Sequence, residues 1–242
     1  MKSDNLKIKR QLDTAWAGIV AALAKMSQGS AVRPASGSEV FRYNEVAGNG
    51  LEVTITPAVF NLPERANNST TNLFVVIEGR ITFADSPTGD GRATTGTFST
   101  RVGYFRTKRE SVQHVYGAHY DFEESQPGHP VFHAQIASQV HLWESTSSSN
   151  ALSIGPDDDL VTAILRNVRV PTAQMDVFSV IIQVCADHLI ASSSPDEVRR
   201  AFEDLRASCD FFSGAAARLP YLNSEPAISC YRSNHWYAGA TV

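Results

Sequence analysis

The sequence has few cysteines and no long apolar run, and both absences restrict the class of protein. Its three cysteines, Cys185, Cys209 and Cys230, show no CxxC spacing, which argues against a disulfide framework or a thiolate zinc site. No segment approaches the roughly 20 consecutive apolar residues of a membrane span, and the N-terminus lacks an unbroken apolar signal segment. We therefore expect a cytoplasmic protein with no membrane contact, in which Cys185 and Cys209 are small core residues.

The chain also has no excess of positive charge. The net charge of −4 and the isoelectric point near 6.0 argue against a bulk electrostatic attraction to nucleic acid. The chain also lacks a Walker loop, a dinucleotide fingerprint, a G-x-S-x-G elbow and an H-E-x-x-H helix. A length of 242 residues with 43% hydrophobic residues suits one substantial core. We predict a single domain over residues 1–242.

The period of the apolar residues changes twice along the chain and thereby predicts the architecture. A helical stripe indicates an N-terminal helix over about residues 5–27, and alternating residues indicate a sheet over about 40–145. Helical periodicity returns over about 160–214, before a tail at 215–242. The predicted fold class is α+β, with an antiparallel meander sheet flanked by the N-terminal helix and two C-terminal helices. A strongly curved or half-barrel sheet is a variant of this prediction.

Individual segments refine this architecture. Strands are predicted at 51–56, 73–83, 94–107, 111–122 and 131–143, where apolar and polar residues alternate or β-branched residues accumulate. Pro171 is predicted to open a mostly buried helix that continues to Ile190. Ser194 as cap and Pro195 at the first helical position predict the start of the second C-terminal helix.

Histidine is concentrated in one part of the predicted sheet. Five of the seven histidines fall between His114 and His141. Within this segment, His119 is followed two residues later by Asp121, and His129 and His133 belong to a His-Pro-x-x-His string. Imidazole has an unperturbed pKa near neutrality and is the commonest metal ligand in proteins. This segment is therefore where we look first for chemistry.

Strand parity predicts which of these side chains share a face. His119, Asp121 and His133 occupy odd positions, whereas the even positions of both segments are mostly apolar. Antiparallel pairing across the intervening loop then places odd residues opposite odd residues, and one register sets His119 across from His133. The alternative is a helix that begins at Pro130, with His129 and His133 one turn apart.

Two chemistries suit such a face. His119, Asp121 and His133 could bind a divalent metal ion that activates water. Without a metal, catalysis by His119, Asp121, His129 and His133 could combine a general acid and a general base. The candidate substrate-binding residues are Arg106, Lys108 and Arg169, the last reaching the site from the helical half. The competing interpretation is structural: histidines that hydrogen-bond one another on a partly solvated sheet or fill a barrel interior.

Two strings carry a resemblance to known domains. The string HYDFEESQPGHPVFHAQI and, about thirty residues later, RVPTAQMDVFSVIIQ resemble uncharacterised bacterial domain families. In those families an aromatic-Asp segment, a His-Pro-x-x-His segment and an Arg-x-Pro helix start follow in order. The resemblance covers about 70 residues, from His114 to Gln183. Such families recur near toxin-antitoxin and phage-defence genes, which implies a role in stress or defence but no catalytic role for any residue.

Two functional hypotheses follow. The first is a hydrolase that acts on a phosphodiester or nucleotide through the histidine cluster. The second is a non-catalytic binding or interaction subunit of a multi-protein system, or a homo-oligomer, in which the sheet and the aromatic tail bind a protein partner. That second hypothesis predicts an exposed apolar patch around Trp236 and Tyr237.

Overall fold

A computed structural model describes residues 3–26, 32–34, 40–46, 50–63, 72–84, 93–108, 110–122, 130, 132–146, 152–154, 168–210 and 212–213. The helices in these ranges are α1 (Ser3–Met26), α2 (Val140–Thr146), α3 (Val177–Leu189) and α4 (Asp196–Cys209). The strands are β1 (Val32–Pro34), β2 (Phe41–Glu45), β3 (Leu51–Pro63), β4 (Asn72–Ala84), β5 (Ala93–Lys108), β6 (Ser111–Phe122), β7 (Phe132–Ile136), β8 (Ser153–Ile154), β9 (Arg169–Pro171) and β10 (Phe212–Ser213). The predicted tail at 215–242, with Cys230, Trp236 and Tyr237, lies outside the described residues.

The strands form one open sheet. Its order is β1-β3-β4-β5-β6-β7-β9, with β2 also paired to β3, and all of these pairings are antiparallel. The two-residue strands β8 and β10 pair in parallel with β6 and β5. Among the described strands the two ends of this order do not pair with each other, so the sheet is not closed. The predicted α+β class, with an antiparallel meander flanked by one N-terminal and two C-terminal helices, is confirmed.

One face of the sheet, which we call the inner face, packs against α1, α3 and α4. The apolar stripe of α1 contributes Leu12 and Ile19, both fully buried, and α3 contributes Ile181 and Val184. Alternate residues of β4, such as Ile77, meet them from the sheet. None of the helices in the described ranges has both the length and the apolar character needed to cross a membrane.

The cysteines of the two C-terminal helices lie in this core, as predicted. Cys185 on α3 is fully buried and Cys209 at the end of α4 is 7% exposed. Burial raises the pKa of the Cys185 thiol to about 12. Both thiols therefore remain protonated and act as small apolar side chains.

The predicted starts of the C-terminal helices require correction. Pro171 does not open a helix: it ends β9, and α3 begins six residues later at Val177. The carboxylate of Asp176 provides the stronger start signal, because it accepts hydrogen bonds from the backbone N–H groups of Phe178 and Ser179, at 3.0 and 3.2 Å. In α4 the N-cap is Pro195 rather than Ser194.

The predicted strand at 131–143 is correct only in its first part. Strand β7 ends at Ile136, and residues from Val140 onward form the helix α2. The alternative helix starting at Pro130 is wrong as well, since Phe132–Ile136 is a strand. In α2 the buried residues Leu142, Trp143 and Thr146 follow helical spacing, which the short alternation in the sequence conceals.

Candidate metal centre

The second face of the sheet, which we call the outer face, carries two rows of polar residues that run across neighbouring strands. Cross-strand pairing fixes the order within each row. The first row is Thr54, Arg80, Ser99, Asp121 and His133; the second is Glu78, Arg101, His119, Gln135 and Arg169. Because members of the two rows are two residues apart on each strand, all of these side chains leave the sheet on the same side.

Three side chains of these rows converge. His119 Nε2 lies 3.2 Å from Asp121 Oδ2. One possible ligand atom from each of His119, Asp121 and His133 lies within 4.8 Å of the others, and we call these residues the triad. The rings of the two histidines are 6.3 Å apart and nearly perpendicular. The predicted polar face with these three residues is therefore present in the structure.

The predicted register within the triad is displaced by two residues. The parity argument is correct, since odd residues of β6 face odd residues of β7. However, Asp121 pairs directly with His133, and His119 pairs with Gln135. The observed pairing is therefore shifted by two residues from the one that a His119–His133 pair requires. The carboxylate, not His119, is the direct neighbour of His133.

Burial differs among the three side chains. His133 is only 3% exposed, whereas the side chains of His119 and Asp121 are 24% and 32% exposed. Burial alone would raise the pKa of Asp121, but the hydrogen bonds from His119 and Ser99, with the nearby imidazoles, outweigh it and lower that pKa. Asp121 is therefore a carboxylate at neutral pH, as a metal ligand must be.

The triad lies in a polar cleft of about 350 Å³. The cleft is lined by Arg80, Thr97, Phe98, Ser99, His119, Asp121, Phe122, His133, Gln135 and Arg169. A second groove of about 290 Å³ adjoins it and shares Arg80 and Ser99. Taken together, the two spaces fall within the range for ligand sites, roughly 300–1,000 Å³.

The donor set matches a known type of metal site. Two imidazoles and one carboxylate suit divalent zinc, iron or manganese, and three protein ligands leave positions open for water and substrate. Ligand atoms at about 2.0–2.2 Å from a metal lie roughly 3–3.5 Å apart. The present atoms lie within 4.8 Å of one another, so a bound metal ion would require them to approach by about 1–2 Å.

The predicted substrate-binding residues are only partly at the cleft. Arg169 lines it, as predicted. Arg106 is exposed and pairs with Leu73 and Gln113, seven residues beyond Ser99 and roughly 23 Å away along β5. The backbone of Lys108 lies farther still along that strand, and its side chain is outside the described part of the chain. The structure does not bring these two residues to the triad. His129 also lies outside the described residues.

Arg80 lines the cleft from β4 and was not predicted as a site residue. The signal was available: Glu78, Arg80 and Thr82 alternate with the apolar residues Ile77, Ile81 and Phe83 in a strand that is otherwise apolar. Alternation of this kind marks a strand with one polar face. Strand order could not be predicted from the sequence. In the sheet, β4 lies two strands from β6, and Arg80 is on the same face as the triad.

A tight crossing of the chain bounds the polar rows. After β7, residues Ala137 to Gln139 pass over β6, and Ala137 N–H donates a hydrogen bond of 3.0 Å to the carbonyl of Gly117. A Cβ atom on Gly117 would lie 2.4 Å from the carbonyl oxygen of Ala137. Only glycine allows this approach. The crossing delivers α2 to the outer face beside the polar rows.

The remaining described histidines of the predicted cluster have other surroundings. His114 is 9% exposed, its ring lies 5.4 Å from that of Phe105, and its Nε2 accepts a hydrogen bond of 3.4 Å from the N–H of Gln139. His141 on α2 is half-exposed and lies 3.9 Å from the Glu78 carboxylate. Neither histidine belongs to the triad, and these contacts are to a phenylalanine ring, a backbone N–H group and a carboxylate.

No protein family, curated protein or solved structure matches this chain.

Proposed function

We propose that the triad binds a divalent metal ion and that the protein hydrolyses a phosphate ester, either a phosphodiester or a nucleotide. The observation that supports this proposal is the convergence of His119, Asp121 and His133 within 4.8 Å, in a cleft that two arginines also line. Chemistry at a metal requires ligands of this type, and a phosphate substrate requires nearby positive charge.

Each part of the cleft has a role in this proposal. A bound divalent metal ion would lower the pKa of a coordinated water and polarise a phosphoryl oxygen. Asp121 supplies the negative charge of the donor set, and the low exposure of His133 limits the directions in which its ring can point. Arg80 and Arg169 offset the negative charge that the substrate brings to the cleft.

One distance favours a second chemistry for the same residues. His119 Nε2 lies 3.2 Å from Asp121 Oδ2, the arrangement in which a carboxylate orients an imidazole. In this version His119 and His133 act as general base and general acid on the phosphate ester, without a metal. The substrate class is unchanged, and only the source of water activation differs.

The resemblance to defence-associated domains supports a biological setting for either chemistry: a cytoplasmic response to stress or phage infection. The alternative function is a non-catalytic subunit that binds a protein partner through the sheet and the aromatic tail around Trp236 and Tyr237. Those residues are outside the described part of the chain.

Metal content provides the test. The purified protein is dialysed against zinc or manganese, freed of excess metal and examined by elemental analysis, beside a His119→Ala, His133→Ala double variant. His141→Ala is the matched control, because it removes a half-exposed histidine outside the triad. Circular dichroism checks that all three proteins are folded. Hydrolysis of a chromogenic phosphate ester is then measured with and without chelator.

We expect close to one metal ion per chain in the wild type and the His141→Ala control, none in the double variant, and hydrolysis that chelator removes. Hydrolysis that resists chelator but is lost in the double variant would support the metal-free version. Metal binding that persists in the folded double variant would refute the proposed site.

A further inference from the structure

Two arginines stand on opposite sides of the triad, and they suggest which phosphate the site prefers. Arg80 extends from β4, and Arg169 extends from β9 at the sheet edge. The pairings place three strands between them, with the triad on β6 and β7. Five adjacent strands put the two backbones about 19 Å apart, and both side chains line the same cleft.

Both arginines are exposed to solvent. Arg80 has a salt bridge of 3.6 Å to Glu52, with its own side chain 60% exposed. Arg169 is exposed and forms no salt bridge to any residue that the structure describes. In contrast, Arg101 in the same rows donates a hydrogen bond of 3.0 Å to Glu78. The cleft therefore has two exposed guanidinium groups, of which Arg80 makes the longer ion pair and Arg169 makes none with a described residue, whereas Arg101 in the adjoining groove is hydrogen-bonded to its carboxylate.

We propose, on the basis of the function proposed above, that Arg80 and Arg169 clamp a terminal phosphate from two sides, so that the substrate is a small phosphate monoester such as a mononucleotide. Guanidinium groups bind phosphate oxygens in a bidentate manner. Two arginines and the triad offer three directions of approach. A terminal phosphate has three free oxygens and a charge of about −1.5 to −2, whereas a diester has two free oxygens and a single charge.

The size of the site agrees with a small substrate. The cleft of about 350 Å³ would take the phosphate, and the adjoining groove of about 290 Å³ would take the rest of the molecule. The two spaces meet at Arg80 and Ser99. Arg80 would therefore contact the phosphate at the junction, and Arg169 would contact it from the outer edge of the sheet.

Calorimetric titration with two simple anions tests the clamp. Inorganic phosphate is the probe for a terminal phosphate, and dimethyl phosphate is the probe for a diester. Both are titrated into the wild type, Arg80→Gln, Arg169→Gln and the double variant, each in metal-loaded and metal-free form. Arg200→Gln is the matched control, because Arg200 is an exposed arginine of α4 that does not line the cleft. Metal content is measured in every sample.

We expect the wild type and the Arg200→Gln control to bind phosphate at least 10-fold more tightly than dimethyl phosphate. Each arginine variant should lose about 10-fold or more in phosphate affinity, as when a charged hydrogen bond is removed, with unchanged metal content. Equal phosphate affinity in the double variant and the wild type would overturn the clamp, as would equal affinity for the two anions. Arginine-dependent phosphate binding by a protein that takes up no metal would instead keep the clamp and refute the metal centre.

Discussion

The outer face of the sheet has two halves with opposite character, although the same four strands, β3, β4, β5 and β6, contribute to both. On β4, the outer residues Phe74 and Val76 are followed by Glu78 and Arg80. The apolar half is covered by α2 and forms a second, smaller core. This core contains the buried residues Val59, Val76, Phe105, Val112, Leu142 and Trp143. The polar half carries the triad and has an open cleft.

The boundary between the halves coincides with two glycines. Gly103 and Gly117 pair with each other on β5 and β6, at the position where the chain crosses to reach α2. On one side of this line, side chains are buried by α2, and on the other they remain accessible. A single strand can therefore contribute core residues along one part of its length and cleft residues along the rest. Substitutions in each half and at the boundary test this division.

The largest effect on stability is expected for Trp143→Ala in the apolar half. Trp143 is 1% exposed, its ring lies 5.2 Å from Phe74 and 5.3 Å from Phe105, and its Nε1 donates a hydrogen bond to the Leu152 carbonyl. Truncation of a buried tryptophan reduces the free energy of unfolding by about 3–5 kcal/mol. Denaturant unfolding measures this loss, and metal titration below the transition should show unchanged affinity.

His119→Ala is the matched substitution in the polar half. It removes one partly exposed ring and its contact with Asp121, so the free energy of unfolding should fall by only about 1 kcal/mol. Metal affinity should fall at least about 10- to 100-fold, the loss that follows when even an outer partner of a metal ligand is removed. Weakened metal binding in folded Trp143→Ala would show instead that the two halves are coupled.

Much of this division could be predicted from the sequence, because alternation in a strand depends on local pattern alone. Parity is sufficient to place His119, Asp121 and His133 on one face. The predicted register was two residues off, since loop composition fixes neither the length nor the geometry of the turn. Arg80 was missed because its closeness to the triad depends on strand order, which is a long-range property.

The apolar half was harder to predict. Val140 and Leu142 alternate as a strand would, yet they belong to α2. The apolar face that α2 covers, including Val76 and Phe105, is distant in sequence, and its burial overrides the local pattern. Similarly, the apolar run after Pro171 obscured the helix start, which the Asp176 cap determines. The periodicity of apolar residues is least reliable for predicting short helices and strands that are stabilised by tertiary packing.

The boundary itself is tested by Gly117→Ala. The added Cβ would lie 2.4 Å from the Ala137 carbonyl oxygen and 2.6 Å from Gln139 Cγ. Overpacking of this kind reduces the free energy of unfolding by about 1–3 kcal/mol. Where space allows, a change from glycine to alanine stabilises a protein by about 0.4–1 kcal/mol, because it lowers the conformational entropy of the unfolded chain. The sign in a denaturant experiment is therefore informative, and a more stable variant would contradict the tight crossing.

A substitution on the inner face, behind the polar half, should have a smaller effect on the free energy of unfolding, and this effect should depend on pH. Tyr120 is 8% exposed; burial is the main reason that its pKa rises to about 12, and Tyr116 and Asp187 contribute. Tyr120→Phe should reduce the free energy of unfolding by about 1 kcal/mol at neutral pH, since it removes the hydrogen bond to Tyr116. Because the folded pKa is above the ordinary value of 10.0, this contribution is complete below pH 10 and is lost as pH rises toward 12. A constant difference between the two proteins from about pH 8 to pH 12 would contradict this assignment.

The smallest effect is expected for the partly exposed pair Glu78 and Arg101 in the polar rows. Their atoms are 3.0 Å apart, with the two side chains 21% and 50% exposed. A double-mutant cycle with Glu78→Gln and Arg101→Gln should give a coupling of about 0.2–1 kcal/mol, which decreases as salt is added. A coupling well above this range, insensitive to salt, would mean that the polar rows stabilise the fold much as the apolar half does. A small coupling would mean that most of the folding free energy comes from packing around α2 and in the inner core. Charged residues of the polar rows could then be exchanged with little loss of stability, so their arrangement would be better explained by what the cleft binds.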